Sequence, residues 1–144
     1  MTAIRPIRAE DQAAWLPLWS GYNAFYRNEP TEEVTHAAFH RLCDGSDGFF
    51  GLVAEDGGGL VGLAHAVFHP ATWTTGTYCY LEDLYVSKEG RGTGAARQLI
   101  EGVYVEADRR GAGRIYWHTQ QYNAPARSLY DSVGHATSFV VYER

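Results

Sequence analysis

Between Leu81 and Ile100 the chain runs Leu-Glu-Asp-Leu-Tyr-Val-Ser-Lys-Glu-Gly-Arg-Gly-Thr-Gly-Ala-Ala-Arg-Gln-Leu-Ile. A β-rich run ends near Val86, and Gly90, Gly92 and Gly94 follow within five positions. An apolar pattern of helical spacing then begins, with Ala96, Leu99, Ile100, Val103 and Ala107 on its inward side. A strand that turns through glycines straight into a helix leaves backbone amides pointing outward at a helix N-terminus. That arrangement suits an anion such as a pyrophosphate, and Arg91 adds one side-chain charge.

Three readings of this turn compete on the residues alone. Gly90-Arg-Gly92-Thr-Gly94-Ala95 fits the dinucleotide fingerprint G-x-G-x-x-A, but that fold expects an acidic residue about 20 positions on. Here the next β-run, Ile115–Thr119, is followed by Gln120 and Gln121. A P-loop needs Gly-Lys-[Ser/Thr] at the end of the turn, where this chain has Gly94-Ala95-Ala96. The third reading is a glycine-rich helix entry that binds nothing.

The remaining pattern gives a mixed order of elements. A strand is expected over Ala3–Arg8, then a helix capped by Asp11 that starts a few residues late because of Pro17. Trp15, Trp19, Tyr22 and Tyr26 share one face of that helix. A second helix is expected from Thr31, as N-cap, to about Cys43, with Glu32 and Glu33 in its first turn. Phe49–Glu55 and Leu60–His69 read as a hairpin around Asp56-Gly57-Gly58-Gly59. Thr77–Val86 follows as a third strand, then a helix over Thr93–Arg110. Ile115–Thr119 is another strand, Asn123–Ser132 a short helix, and Thr137–Glu143 a last strand. An antiparallel meander followed by a βαβ crossover results.

At 144 residues the chain is read as one domain, 1–144. It has no apolar run long enough to span a bilayer and no secretion-type leader. The net charge of −5 disfavours nucleic acid and suits a cationic partner. The two cysteines, Cys43 and Cys79, form no disulfide framework, which points to a cytoplasmic protein. No metal site is expected: His36 and His40 stand four apart on a helix without the supporting glutamate.

Two motifs carry a resemblance to the GNAT superfamily of N-acetyltransferases. Arg91-Gly92-Thr93-Gly94-Ala95-Ala96 resembles its central motif, [Gln/Arg]-x-x-Gly-x-[Gly/Ala]. Asn123-Ala-Pro-Ala-Arg-Ser-Leu-Tyr130, followed by Gly134, resembles a second. The resemblance implies an α/β fold with a mixed, mostly antiparallel sheet of six to seven strands and about four helices. It implies acetyl-CoA as cosubstrate, with its pyrophosphate on the amides of residues 91–96. Its pantetheine arm would pair with Leu84, Tyr85 and Val86, beside Asn123 and Tyr130. Tyr130 would be the acid that protonates the leaving thiolate.

Glu82-Asp83-Leu84-Tyr85-Val86 and the aromatic first helix are most similar to the polyamine-type branch, with its histone-acetyltransferase-like bacterial relatives. That similarity suggests Glu82 as the base, on the same strand face as Leu84 if no bulge intervenes, and Asp83 as the adjacent alternative. Tyr22 and Tyr26 would line the acceptor pocket. Each assignment has a plainer counterpart: Tyr130 as a packed core tyrosine, Glu82 as a surface ion-pair partner, the aromatic face as ordinary packing. The expected acceptor is a primary amine of a small molecule. A peptide amine is the alternative within the enzyme class, and a non-catalytic acyl-CoA sensor the alternative outside it. With 14 residues after Tyr130 only one closing strand can be placed, so a homodimer, perhaps by strand exchange, is expected to cover the sheet edge.

Overall fold

The computed structural model describes residues 2–144. At its centre lies the expected hairpin, β2 (Phe49–Asp56) and β3 (Gly59–Pro70). Gly57 and Gly58 turn it with φ of +59° and +97°. Positive φ at both central residues is what a two-residue hairpin loop demands of glycine. β1 (Thr2–Pro6) pairs antiparallel with β2, and β4 (Thr77–Val86) antiparallel with β3. The chain then crosses over through α3 (Ala95–Arg109), and β5 (Ile115–Tyr116) returns parallel to β4. The sheet order is β1-β2-β3-β4-β5.

Helices cover both faces, which explains why β2 and β3 read as nearly continuous apolar runs. On one side Leu52, Ala64, Ala66, Cys79 and Leu81 meet Leu99, Ile100, Val103 and Ala107 of α3. Ala95, rather than Ala96, is the buried alanine of the first turn of α3. On the other side Val53 and Leu63 meet Trp15 and Leu18 of α1 (Gln12–Phe25), with Phe39 and Leu42 of α2 (Glu32–Asp44). Thr31 caps α2 by accepting from the Val34 amide (3.2 Å), and Gly45 ends it at φ +70°. The last helix, α4, spans Ala124–Val133.

α1 departs from expectation at its start. It begins at Gln12 and carries Pro17 inside, although proline there removes a backbone donor. Its aromatic face compensates: Trp15 is fully buried and stacks on Trp19 at 5.5 Å. Nor does Asp11 cap α1 with its side chain. It accepts instead from the guanidinium of Arg5 (2.8 and 2.9 Å) and from the Arg8 amide (2.8 Å), tying β1 to the entry of the helix. The Arg5 bond holds the Asp11 carboxyl below its ordinary range. A depressed carboxyl stabilises the fold above its unfolded-state value, and that contribution is lost as pH falls through the folded one. Asp11→Asn is therefore expected to cost about 1.5–3 kcal/mol in urea unfolding at pH 7, with the deficit shrinking towards pH 3. A deficit independent of pH would refute this role.

The sheet has five strands, not six to seven. Residues 137–143, expected as the last strand, lie outside any ladder. Phe139, Val140, Val141 and Tyr142 are 65–90% exposed. Their β-propensity is real, but a strand also needs a neighbour for its amides and carbonyls. β5 is only two residues long where Ile115–Thr119 was expected, so the chain offers its own tail very little edge.

Candidate active site

β4 touches β5 only through Cys79↔Ile115 and Tyr80↔Tyr116. Beyond that point the strands part, and residues 81–86 keep β3 as their sole sheet neighbour. The backbone of Leu84, Tyr85 and Val86 is thus an open edge, available to an extended ligand arm.

This edge leads directly into the glycine turn. Gly92 and Gly94 have φ of +77° and +83°, a region that side-chain-bearing residues rarely enter. A Cβ on either would meet nothing, so these glycines serve conformation and leave the approach clear. Gly90 differs: a Cβ there would lie 2.8–2.9 Å from Val86 and Val61, so its smallness lets the turn pack down. The Thr93 hydroxyl donates to the Gly90 carbonyl and stays within the turn. Gly94 is the N-cap of α3, whose first amides lack intrahelical acceptors. Together with Arg91, Ala95, Ala96 and Leu129 these residues line a cleft of about 290 Å³. Its size, its helix N-terminus and its open approach fit a pyrophosphate.

The other end of β4 forms an acidic pocket of about 530 Å³. Its cause is a bulge. His65 pairs with Asp83 and Ala66 with Leu81, which leaves Glu82 without a partner across the ladder. The extra residue reverses the alternation beyond it. Leu81 and Leu84, three apart, both pack on the α3-side core, and Tyr80 and Asp83 both line the pocket with Glu82. Glu82 therefore does not share a face with Leu84 as simple alternation would have it. Trp19, Tyr22 and Glu29 complete much of the wall, and no lysine or arginine lines it. Glu82 is exposed to solvent, yet partial desolvation by its surroundings first, and then the charge of Asp83, raise its carboxyl above its ordinary value. Such a shift moves a carboxylate towards the range useful to a base.

Asn123 caps α4 through Oδ1 and the Ala126 amide (3.5 Å), which places Tyr130 about two turns in. Its ring meets Trp117 edge-on at 5.5 Å. Burial, with a smaller effect of Tyr26, raises the phenol above its ordinary value, so it stays protonated at neutral pH.

The aromatic face of α1 divides as its two readings allowed. Trp15 is core and Tyr22 lines the pocket, whereas Tyr26, expected there too, is 38% exposed and outside the lining, packed on the Tyr22 ring at 4.9 Å, and Phe25 is exposed. His118 meets the Tyr80 hydroxyl at 3.3 Å. No cluster of three metal-ligating side chains exists among the described residues. Both thiols are free, and burial pushes Cys79 up to about 11. The sequence reading passed over His65 and Tyr80. A single histidine inside the apolar run Leu60–Phe68 was the available signal for the first.

Comparison with known proteins identifies the family. Residues 14–135 match the model of the acetyltransferase (GNAT) family. The D-amino-acid N-acetyltransferase HPA3 of Saccharomyces cerevisiae is 36% identical over 143 residues, covering 98% of this chain and 89% of that one. A thialysine N-epsilon-acetyltransferase of Caenorhabditis elegans is 33% identical over 86 residues, 60% of this chain and 51% of that one. Among solved structures, AAC(6')-Iy with a CoA-based bisubstrate analogue superposes with a TM-score of 0.85. It is 19% identical, with 100% of this chain and 97% of that one covered, a likeness of fold. With the family model spanning most of its length and a homologue aligned end to end, the chain belongs to the acetyltransferase (GNAT) family and is an N-acetyltransferase.

Proposed function

We propose that this enzyme transfers the acetyl group of acetyl-CoA to a primary amine of a small molecule that carries a second positive charge. The observation that carries the reading is the course of β4. Its open edge runs from the pyrophosphate-sized cleft to the acidic pocket, so cofactor arm and amine meet on one strand. The amides of residues 91–96 would hold the pyrophosphate, and the edge of Leu84–Val86 the pantetheine arm. The cosubstrate supplies an activated thioester carbonyl. An alkylamine with a pKa near 10.4 is neutral in only about one molecule in 10³–10⁴ at pH 7, a handicap of about 4–5 kcal/mol. Glu82 takes the amine proton, directly or through water. The neutral nitrogen then adds to the acetyl carbon, the C–S bond breaks as Tyr130 donates its phenolic proton to the departing sulfur, and the second proton of the nitrogen passes through water to the Tyr130 phenolate, leaving a neutral amide and the CoA thiol.

The absence of lysine and arginine from the pocket wall favours diamines and polyamines over free amino acids, whose carboxylate would face Glu29, Glu82 and Asp83 unpaired. The yeast relative's name supports amino acids as the second reading. A panel of diamines, polyamines, D- and L-amino acids, their esters and a lysine peptide, read by release of free thiol, separates these. The highest kcat/KM is expected for dications. Preference for zwitterionic amino acids would overturn the charge argument, preference for the peptide the small-molecule reading, and CoA binding without any turnover the enzymatic one.

We also infer a homodimer in which the exposed Phe139–Tyr142 segment of each copy covers the sheet edge of the other. The exposure of four consecutive apolar residues supports this. Sedimentation at micromolar concentration should give a dimer, and a monomer there would refute it.

A further inference from the structure

We infer that His65 is a positioning residue that fixes Asp83, and through it the acceptor ammonium, in a tautomer set by Trp15. The inference rests on the acceptor reading above.

His65 is only 4% exposed, and it interrupts the apolar run from Leu60 to Phe68 of β3. Its Nε2 lies 3.1 Å from Nε1 of the fully buried Trp15. An indole N–H can only donate, so Nε2 must accept. The ring proton then sits on Nδ1 and donates to Asp83 Oδ2 at 2.9 Å. Both ring nitrogens are committed in opposite senses. A second proton on the ring would set two donors against each other and break the Trp15 bond.

The consequence lies in the pocket. Asp83 is held by a neutral donor, so its negative charge is oriented without being cancelled. A carboxylate has about four acceptor positions; His65 takes one, the Tyr22 hydroxyl reaches another, and the rest face the pocket beside Glu82. Trp19 packs on the same imidazole at 5.6 Å and restricts its tilt. A lysine or arginine in place of His65 would hold Asp83 equally well and would neutralise the pocket.

Two substitutions divide the hydrogen bonds of the ring. The amide nitrogen of His65→Asn falls near the position of Nδ1 and keeps the bond to Asp83. The amide of His65→Gln reaches the position of Nε2 and keeps only the bond to Trp15. Steady-state kinetics with the best amine of the panel should show the amine KM raised about tenfold in His65→Gln. His65→Asn should stay within about threefold of wild type, and kcat and the KM for acetyl-CoA within about twofold in both. A tenfold rise corresponds to 1.4 kcal/mol, the scale of one charge-assisted hydrogen bond. Adding His65→Gln to Asp83→Asn should raise the amine KM no further. Equal KM values for the two His65 variants, a reversed order, or full additivity with Asp83→Asn would overturn the assignment. If neither His65 variant folds, Trp15→Phe carries the test: a raised amine KM with unchanged acetyl-CoA KM supports it, and an unchanged amine KM overturns it. Failure of wild type to turn over any amine would instead bring down the acceptor reading, so the two failures are distinct.

Discussion

Tyr130→Phe is expected to lower kcat by about 10²–10⁴-fold, the usual worth of a positioned general acid. Acetyl-CoA binding and stability should be nearly unchanged. Among the described residues no protein group hydrogen-bonds the Tyr130 hydroxyl, while the ring packs on Trp117 and the α3-side core. Phenylalanine keeps that packing, so the effect on stability should stay within about 0.5 kcal/mol. A hydroxyl with no structural partner is free to donate elsewhere, which separates the acid from a merely packed tyrosine. Stopped-flow or initial-rate detection of free thiol, with calorimetric titration of CoA, checks both halves. Unchanged kcat would remove Tyr130 from the chemistry.

Glu82→Gln should cost about 10²-fold or more in kcat/KM and at the same time make the protein slightly more stable at neutral pH, the gain kept small by solvent screening of the exposed Glu82. The raised carboxyl has its folded-state value above its unfolded-state one. Between those values the folded protein binds more protons than the unfolded chain, so stability falls as pH rises through the window. Glutamine abolishes that loss. Melting temperatures should coincide near pH 4 and diverge by pH 7, with the variant higher. In wild type the acid limb of kcat/KM should lie above the ordinary glutamate range, because the protonated carboxyl cannot accept from the amine. It should vanish in the variant. A variant less stable at pH 7 than wild type would show Glu82 to be a structural ion-pair partner instead.

Much of this site was legible from residue types. Gly92 and Gly94 announce their positive φ because few other residues tolerate it, and the hairpin glycines do the same. Asn123 and Pro125 mark the start of α4 by local chemistry, which places Tyr130. The errors share a cause: they depend on partners distant in the chain. Asp11 looks like a cap until Arg5 is brought beside it. The segment at 137–143 reads as a strand because periodicity reports a face and is silent about which edge it will meet. Glu82 shares the face of Leu84 only if the ladder is unbroken, and the bulge that breaks it depends on His65 and Ala66 of the neighbouring strand. His65 was invisible as a functional group because its meaning lies in Trp15, 50 positions earlier.

The bulge also gives β4 two independent phases. Upstream of Glu82 the odd-numbered Cys79 and Leu81 face the α3-side core, downstream the even-numbered Leu84 and Val86 do, and Tyr80 and Asp83 face the pocket on either side of the step. Deleting Glu82 alone should therefore remove the carboxylate and little else. Leu81 and Asp83 already pair with the consecutive Ala66 and His65, so the ladder would close into regular alternation with Asp83 still at the pocket and Leu84 still in the core. The carboxylate thus rides on the one residue of β4 that the ladder can do without, a detachable fitting on an otherwise regular strand.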